Sequence, residues 1–165
     1  MDGKILVFSD IHGDKMAMEA IWRAKEAVRA SSLFSLGDLC PDPGDPVWKG
    51  ITGVRGNMDR WYQYGDLPFP PRERSFMWEG RTVYAFHGNE IPSFSPEKGD
   101  IVMSGHTHIP SFRNKDGVFH VNPGSASQPR TSLPPSFALI SEECFTLFSL
   151  LDLSIISRRS FSSSQ

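Results

Sequence analysis

The sequence contains few cysteines, no long apolar segment and no excess of basic residues. Its two cysteines, Cys40 and Cys144, are too few and too irregularly placed for a disulfide framework. Reduced thiols in a cytoplasmic protein are therefore the simpler interpretation. No apolar run approaches the roughly 20 residues that a membrane helix needs, so we expect no membrane span. The formal net charge of −2 argues against a general nucleic-acid binder, because such proteins usually carry a basic surplus.

Length and composition predict one globular domain over residues 1–165. Hydrophobic residues make up 39% and charged residues 22% of the chain, which is ordinary for a domain that buries a continuous core. Residues 1–8 lead directly into a polar motif and predict a first core strand rather than a signal peptide. Residues 158–165 are basic and then rich in serine, so we expect a flexible tail there.

The apolar pattern predicts a β-α-β unit followed by a strand-rich second half. Residues 4–9 form a continuous apolar run typical of a buried strand. Residues 15–30 carry apolar side chains at spacings of three and four, as in an amphipathic helix, and residues 32–36 are again strand-like. Three hairpins are predicted at the turn signals of residues 79–81, 115–117 and 141–143. An α/β fold of two packed sheets with a few flanking helices fits this pattern.

Seven side chains of metal-ligand type follow the ends of five predicted strands. They are Asp10, His12, Asp38, Asn57, His87, His106 and His108. Strand ends along one edge of a sheet face a common crevice, the usual ligand site of open α/β folds. Glycines beside these residues permit tight turns and close backbone approach. Any single fragment is more often a helix cap, a surface group or a core group, but all five motifs in order indicate a metal site.

Together these motifs resemble those of the calcineurin-like metallophosphoesterase superfamily. Its pattern of D-x-H, G-D, G-N-x-[DE], H-G and G-H-x-H occurs here in order, and residues 122–125 (NPGS) resemble the small bacterial and archaeal phosphodiesterase branch. The resemblance implies a four-layer α/β/β/α sandwich, with two mixed β-sheets flanked by helices. It also implies two divalent metal ions, with manganese favoured and iron, zinc, nickel or magnesium as alternatives.

The resemblance also implies a ligand set for each ion. The first ion would be bound by Asp10, His12, Asp38 and His108. The second would be bound by Asp38, Asn57, His87 and His106, so that the Asp38 carboxylate bridges the two. A catalytic role is implied for Asp38, Asn57, His87 and Asp59. Of these, Asp59 would orient a ligand or a loop from behind, with a solvated loop residue or a helix cap as the alternative.

The implied activity is hydrolysis of a small-molecule phosphate ester, most simply a phosphodiester, by in-line attack of a metal-bridging hydroxide on phosphorus. Two departures from the family pattern bear on this activity. Met58 stands where other branches have a histidine that assists the leaving group, so weak activity on alkyl phosphomonoesters is expected. Asn89 stands where the small branch often has a second histidine. Glu90 or His120 are candidates to replace it, although His120, in a strand-like stretch, is more often structural.

Two other functions are open at this stage. The same fold serves as a scaffold subunit in membrane-coat assembly, where the metal-ligand histidines are eroded, whereas all seven positions here carry metal-competent side chains. A catalytically weak metal-binding scaffold is thus the main alternative. A nuclease would need a basic groove, and the arginines outside the motifs are scattered. A homo-oligomer formed through a strand edge of the second half is also open.

Overall fold

The computed structural model describes residues 3–162, and its first elements form the predicted β-α-β unit. Strand β1 (Ile5–Phe8) is fully buried. Helix α1 (Lys15–Ala27) follows, and strand β2 (Ser32–Ser35) pairs parallel to β1. Asp14 caps α1, because its carboxylate accepts a hydrogen bond from the Ala17 N–H at 3.0 Å.

Four more strands complete the first sheet. They are β3 (Thr52–Gly53), β9 (Ser136–Ser141), β10 (Cys144–Ser149) and β11 (Ile155–Ser160). The order across the sheet is β11-β10-β9-β1-β2-β3. The last three strands in this order are parallel, whereas β9, β10 and β11 are antiparallel to their neighbours. The sheet is therefore mixed, and its three parallel strands end at the same edge.

Five strands form the second sheet. They are β4 (Glu73–Trp78), β5 (Arg81–Phe86), β6 (Ile101–Met103), β7 (Ser111–Lys115) and β8 (Val118–Asn122). The order is β4-β5-β6-β8-β7, with β5, β6 and β8 parallel and the two outer strands antiparallel. The predicted hairpins correspond to β4–β5, β7–β8 and β9–β10.

The two sheets pack face to face, and alternate residues of β1 contact different layers. Val7 packs between the sheets with Phe34 and Met103. Leu6 packs on the other face of the first sheet, against Ile21 of α1. The predicted α/β class with two mixed sheets is confirmed. Between residues 3 and 162, α1 is the only α-helix.

No helix in this described range is both long enough and apolar enough to cross a bilayer.

Besides α1, two 3₁₀ helices occur, at Pro46–Trp48 and Trp61–Gln63. Both follow loops that carry site residues.

The prediction of a flexible tail over residues 158–165 is wrong for its first residues, because Arg158 and Arg159 belong to strand β11. β11 pairs with β10 along its length, and the Arg159 guanidinium lies 5.0 Å from the Phe112 ring. Phe161 is buried against the Trp78 ring. Residues 163–165 of the predicted tail lie outside the described residues.

Candidate metal centre

Strands from both sheets end at one crevice, and the candidate ligands follow those ends. Strands β1, β2 and β3 end within four residues of Asp10, Asp38 and Asn57. Strands β5 and β6 end within three residues of His87 and His106. The crevice therefore lies between two packed sheets rather than along the edge of one.

Five of the seven candidate ligands adopt left-handed backbone. The φ angle is 54° at Asp10, 49° at His12, 53° at Asp38, 70° at His106 and 62° at His108. Non-glycine residues rarely adopt this conformation, and each instance costs about 1–3 kcal/mol. Such strain persists only where the surrounding structure enforces it, and it concentrates at functional sites.

Glycine is required beside the candidate ligands because the loops approach one another closely. A Cβ on Gly56 would collide with the Asp38 carboxylate. A Cβ on Gly37 would lie 2.6 Å from His87 Nδ1, nearer than real Cβ contacts come. The sequence-based expectation of close backbone approach at these glycines is confirmed.

Two groups of ligand atoms converge in the crevice and share one oxygen, Oδ1 of Asp10. In the first group this oxygen lies 3.8 Å from His12 Nε2 and 3.4 Å from His108 Nε2, and the two nitrogens are 3.3 Å apart. In the second group it lies 3.7 Å from His87 Nε2, which is 3.2 Å from Asp38 Oδ2. Asp38 Oδ2 is also 3.7 Å from His12 Nε2, so this carboxylate of the second group approaches the first group as well.

Backbone carbonyls fix which ring nitrogen of two histidines faces the crevice. His87 Nδ1 donates to the Leu36 carbonyl at 2.8 Å, and His108 Nδ1 donates to the Gln128 carbonyl at 2.7 Å. Since a carbonyl only accepts, Nδ1 carries the proton and Nε2 of the neutral ring presents a lone pair. This is the usual orientation of metal-binding histidine.

Two buried polar atoms in the crevice have no hydrogen-bond partner among the described residues, namely Asp10 Oδ1 and His87 Nε2. Buried polar groups are nearly always satisfied. Ligand atoms about 2.1 Å from a metal ion stand roughly 3.0–3.4 Å from one another, close to several of the separations observed here. The nitrogen and carboxylate donors therefore fit a divalent metal ion.

The Asp38 carboxylate and the buried His87 imidazole of the crevice shift each other's pKa. Burial alone would lower the pKa of His87, but the neighbouring Asp38 and Asp10 carboxylates outweigh it and raise this pKa. For Asp38, burial raises the pKa, but His87 and the Met58 N–H together lower it. Asp38 is thus an ionised buried carboxylate, and a divalent metal ion bound to it and to the neutral His87 ring would compensate this charge.

The other two candidate ligands border this cluster. The imidazole of His106 stands in neither group of three, but its ring centroid is 5.1 Å from that of His87. The His106 backbone N–H donates to Asp10 Oδ2 at 2.9 Å. Asn57 is exposed and lines a cavity together with His87. His106 and Asn57 therefore lie at the border of the crevice. The other five candidate ligands face into it.

Asp59 lies behind the ligand loops and joins them. Its Oδ2 accepts the N–H groups of Asp38 and Gly56, both at 2.8 Å. Its Oδ1 accepts the Cys40 N–H at 2.9 Å and the Tyr64 hydroxyl at 2.8 Å. Burial and then the Asp59 charge raise the pKa of Tyr64, so this phenol stays a donor. Burial, with the Asp59 and Asp38 charges, also raises the pKa of the Cys40 thiol to about 12.

Sequence reasoning noted the NPGS motif but assigned it no contact with the site. In the structure, Ser125 Oγ donates to the Asp10 carbonyl at 2.8 Å. Asn122 Nδ2 donates to the Gly105 carbonyl at 2.9 Å. The motif therefore ties the loops that carry Asp10 and His106 to strand β8. A short polar motif after a buried strand was the available signal.

Comparison with known proteins defines the class. A family model described as the calcineurin-like phosphoesterase superfamily domain matches residues 4–143. The chain therefore belongs to the calcineurin-like phosphoesterase superfamily, and the predicted resemblance and phosphoric ester hydrolase class are confirmed.

Individual relatives come from bacteria and archaea. The chain is 28% identical over 180 residues to the phosphodiesterase YfcE of Escherichia coli K12, covering 94% of this chain and 96% of that protein. The solved structure of YfcE, described as a phosphoesterase, matches with a TM-score of 0.84 and 25% identity over 97% of this chain and 100% of that one. A protein of Methanothermobacter thermautotrophicus named "Probable metallophosphoesterase" is 34% identical over 131 residues, 74% of this chain and 69% of that protein.

A likeness to a non-bacterial structure concerns the fold alone. Vps29 of Entamoeba histolytica, solved in complex with zinc, matches with a TM-score of 0.70 at 18% identity, covering 97% of this chain and 100% of that one. The architecture of two mixed sheets is thus shared with that protein.

Proposed function

We propose that this protein is a phosphodiesterase that uses two divalent metal ions in the crevice between its sheets. The first ion is bound by Asp10, His12, Asp38 and His108. The second is bound by Asp38, Asn57, His87 and His106. We further propose that residues 1–165 form one domain and that the protein is cytoplasmic, in keeping with its free thiols at Cys40 and Cys144.

The observation that carries this proposal is the convergence of lone pairs on a buried, partly unsatisfied centre. Asp10 Oδ1 and His87 Nε2 have no hydrogen-bond partner among residues 3–162. Two carboxylates and three imidazole nitrogens approach to 3.2–3.8 Å. Isolated buried charges are strongly unfavourable, and two metal ions would compensate them.

The chain's own residues hold and orient the reacting groups. When bound, the two ions would polarise the phosphoryl oxygens and activate a water molecule as the nucleophile. Asp38 keeps one carboxylate oxygen between His12 and His87, while the Met58 N–H fixes its other oxygen at 2.8 Å. Asn57 and His87 line the adjoining cavity and therefore face a bound phosphate ester. Asp59 acts as a positioning residue, because it contacts the loops rather than the crevice.

Diesters are the favoured substrates because Met58, which occupies the leaving-group position of the family motif, cannot donate a proton. Met58 is 48% exposed and has no acidic proton. A general acid contributes about 10²–10⁴-fold to a poor leaving group. His120 does not fill this role, since it alternates with the core residues Phe119 and Val121 and points to the outer face of the second sheet. Activity toward small phosphodiesters with acidic leaving groups follows.

Mixed nitrogen and oxygen ligation supports a transition metal, with manganese our first choice and iron, zinc or nickel as alternatives. Magnesium, which prefers oxygen ligands, is the remaining alternative. The names of the curated relatives, phosphodiesterase and metallophosphoesterase, support the same proposal. The substrate class we propose is a small-molecule phosphate diester.

The test is hydrolysis of bis-p-nitrophenyl phosphate and p-nitrophenyl phosphate by metal-stripped protein, with and without Mn²⁺. We expect metal-dependent cleavage that favours the diester and is lost in Asp38→Asn. The matched control is Asp116→Asn, which removes an exposed carboxylate in the β7–β8 turn and should retain activity. Folded wild-type protein with no turnover under any divalent ion would refute the enzyme and favour the scaffold alternative.

A further inference from the structure

A cavity adjoins the candidate metal centre on the side of Asn57 and His87. It has a volume of about 170 Å³, and those two residues form part of its wall. The rest of the wall includes Arg55, Arg72 and Glu90. A substrate whose phosphorus lies at the metal centre would place one of its ester groups here.

Arg55 presents a fixed positive charge to this cavity. Its Nη1 donates to the Pro70 carbonyl at 3.0 Å, and its guanidinium lies 5.1 Å from the Phe69 ring centroid. These contacts hold the guanidinium in place without neutralising it. Among residues 3–162, no carboxylate forms a salt bridge with Arg55.

Arg72 presents a second positive charge, which is paired in a different way. It forms an ion pair with Glu90, and both side chains are 55% exposed. An ion pair that is so exposed contributes little to stability, because water screens the attraction between its charges. An incoming anion can therefore replace Glu90 as the partner of Arg72 at small cost.

The other wall carboxylate is already engaged. Glu73 accepts the Ser93 N–H at 3.0 Å and the Ser93 hydroxyl at 2.5 Å. These two hydrogen bonds lower the pKa of Glu73. The acceptors of Glu73 are thus turned to Ser93. This leaves Arg55, and Arg72 once Glu90 is displaced, to bind a ligand.

We propose that this cavity is a subsite for a second anionic group, a carboxylate or a phosphoryl group, on the phosphodiester substrate. Arg55 and Arg72 bind that group, and Glu90 competes with it for Arg72. The planar guanidinium fork matches both kinds of anion. This inference rests on the proposed phosphodiesterase function and specifies its substrate class.

The test uses diesters that share one leaving group and differ only in charge. Propyl p-nitrophenyl phosphate is compared with 2-carboxyethyl p-nitrophenyl phosphate, which has the same length but an added carboxylate. A third ester, 2-phosphonoethyl p-nitrophenyl phosphate, distinguishes a phosphoryl preference from a carboxylate preference. Steady-state kinetics on the Mn²⁺-loaded protein give KM and kcat separately.

The two variants change the charge of the cavity in opposite directions. They should therefore move KM in opposite directions for the two esters that carry a second anionic group. Arg72→Gln should raise KM about tenfold, through loss of a charge-assisted contact. Glu90→Gln should lower KM about threefold, by removing the competing carboxylate. For the propyl ester, which offers no second anion to Arg72, the change in KM should be smaller in both variants than for the two esters with a second anionic group. Both side chains are exposed, so folding should be retained.

Arg113→Gln is the matched control, because it removes one positive charge from exposed strand β7, away from this cavity. If Arg72→Gln and Arg113→Gln raise KM equally, the effect comes from general attraction between charges, and the subsite is refuted. Equal KM values in the wild type for the propyl ester and for the two esters with a second anionic group would also overturn it.

Titration calorimetry with 2-carboxyethyl phosphate and propyl phosphate gives a readout that needs no turnover. If the wild type hydrolyses none of the esters, the proposed function fails, and the subsite is then judged on binding. Tighter binding of 2-carboxyethyl phosphate than of propyl phosphate, with the difference lost in Arg72→Gln, would support the subsite. Equal binding of the two ligands would refute it.

Discussion

The substitution Asp59→Asn should show whether Asp59 positions the loops that carry the candidate ligands. Asp59 accepts four hydrogen bonds, from the N–H groups of Asp38, Gly56 and Cys40 and from the Tyr64 hydroxyl. An asparagine keeps one acceptor oxygen but presents an NH₂ group in place of the other. In the best orientation its oxygen accepts from Asp38 and Gly56, and the Tyr64 hydroxyl rotates to accept from the new donor.

This orientation leaves the Cys40 N–H without a partner. An unsatisfied, partly buried N–H costs about 1–3 kcal/mol, and loss of charge assistance at the two retained bonds adds about 1 kcal/mol. We therefore expect the free energy of unfolding to fall by about 2–4 kcal/mol. That is a large part of the roughly 5–15 kcal/mol that stabilises a typical domain.

The assay is urea unfolding of the metal-stripped protein, combined with Mn²⁺ titration calorimetry of the folded protein. Because Asp59 fixes the Asp38 loop, Mn²⁺ affinity should fall about 10- to 100-fold. Tyr64→Phe is the control, since it removes one donor and keeps the three backbone contacts. It should cost about 1–2 kcal/mol with Mn²⁺ affinity unchanged. Asp59→Asn behaving no worse than Tyr64→Phe in both assays would refute the positioning role.

Three further substitutions test separate parts of the account. Met58→His should raise kcat/KM for an alkyl phosphomonoester about 100-fold by adding a general acid, and no gain would contradict the leaving-group argument. Gly56→Ala should weaken Mn²⁺ binding at least about tenfold, because its Cβ would collide with Asp38, whereas the control Gly44→Ala should bind normally. Burial, then two basic side chains, lower the pKa of His120 below 6.5, so the unfolded state takes up the proton first and stability falls as pH drops below about 6.5. His120→Gln should therefore lose less stability than wild type between pH 7.5 and 5.5 in urea unfolding, and parallel losses would contradict this.

Local patterns predicted most of the fold, and pairing across long sequence distances explains what they missed. The β1–α1–β2 unit and the three hairpins carry short-range signals, either apolar periodicity or turn residues. Strand β11 does not, because Arg158 and Arg159 are exposed on an edge strand and look like a polar tail. Phe161 is buried by Trp78, which lies more than 80 residues earlier. No local pattern reports such a contact.

The residue types of the candidate site were predictable from the sequence, but the orientations of its side chains were not. The motifs predicted a cluster of carboxylates and imidazoles, because metal chemistry restricts the side chains that can serve, and five of the seven predicted ligands meet in the two groups of the crevice. The carbonyls of Leu36 and Gln128 orient two imidazoles, yet every residue has a carbonyl, so sequence carries no trace of this role. The Arg72–Glu90 pair likewise depends on how two loops fold toward each other.

The most direct test of the central claim is to count the bound metal ions and to measure whether their electron spins are coupled. Metal-stripped protein is dialysed against Mn²⁺, its metal content is measured by elemental analysis, and its electron paramagnetic resonance spectrum is recorded. We predict two Mn²⁺ per chain with a spin-coupled spectrum, because Asp38 Oδ2 approaches both His12 Nε2, at 3.7 Å, and His87 Nε2, at 3.2 Å. Asp38→Asn should lose both the coupling and at least one ion. A single Mn²⁺ per chain, or two uncoupled ions unaffected by Asp38→Asn, would contradict the dinuclear centre.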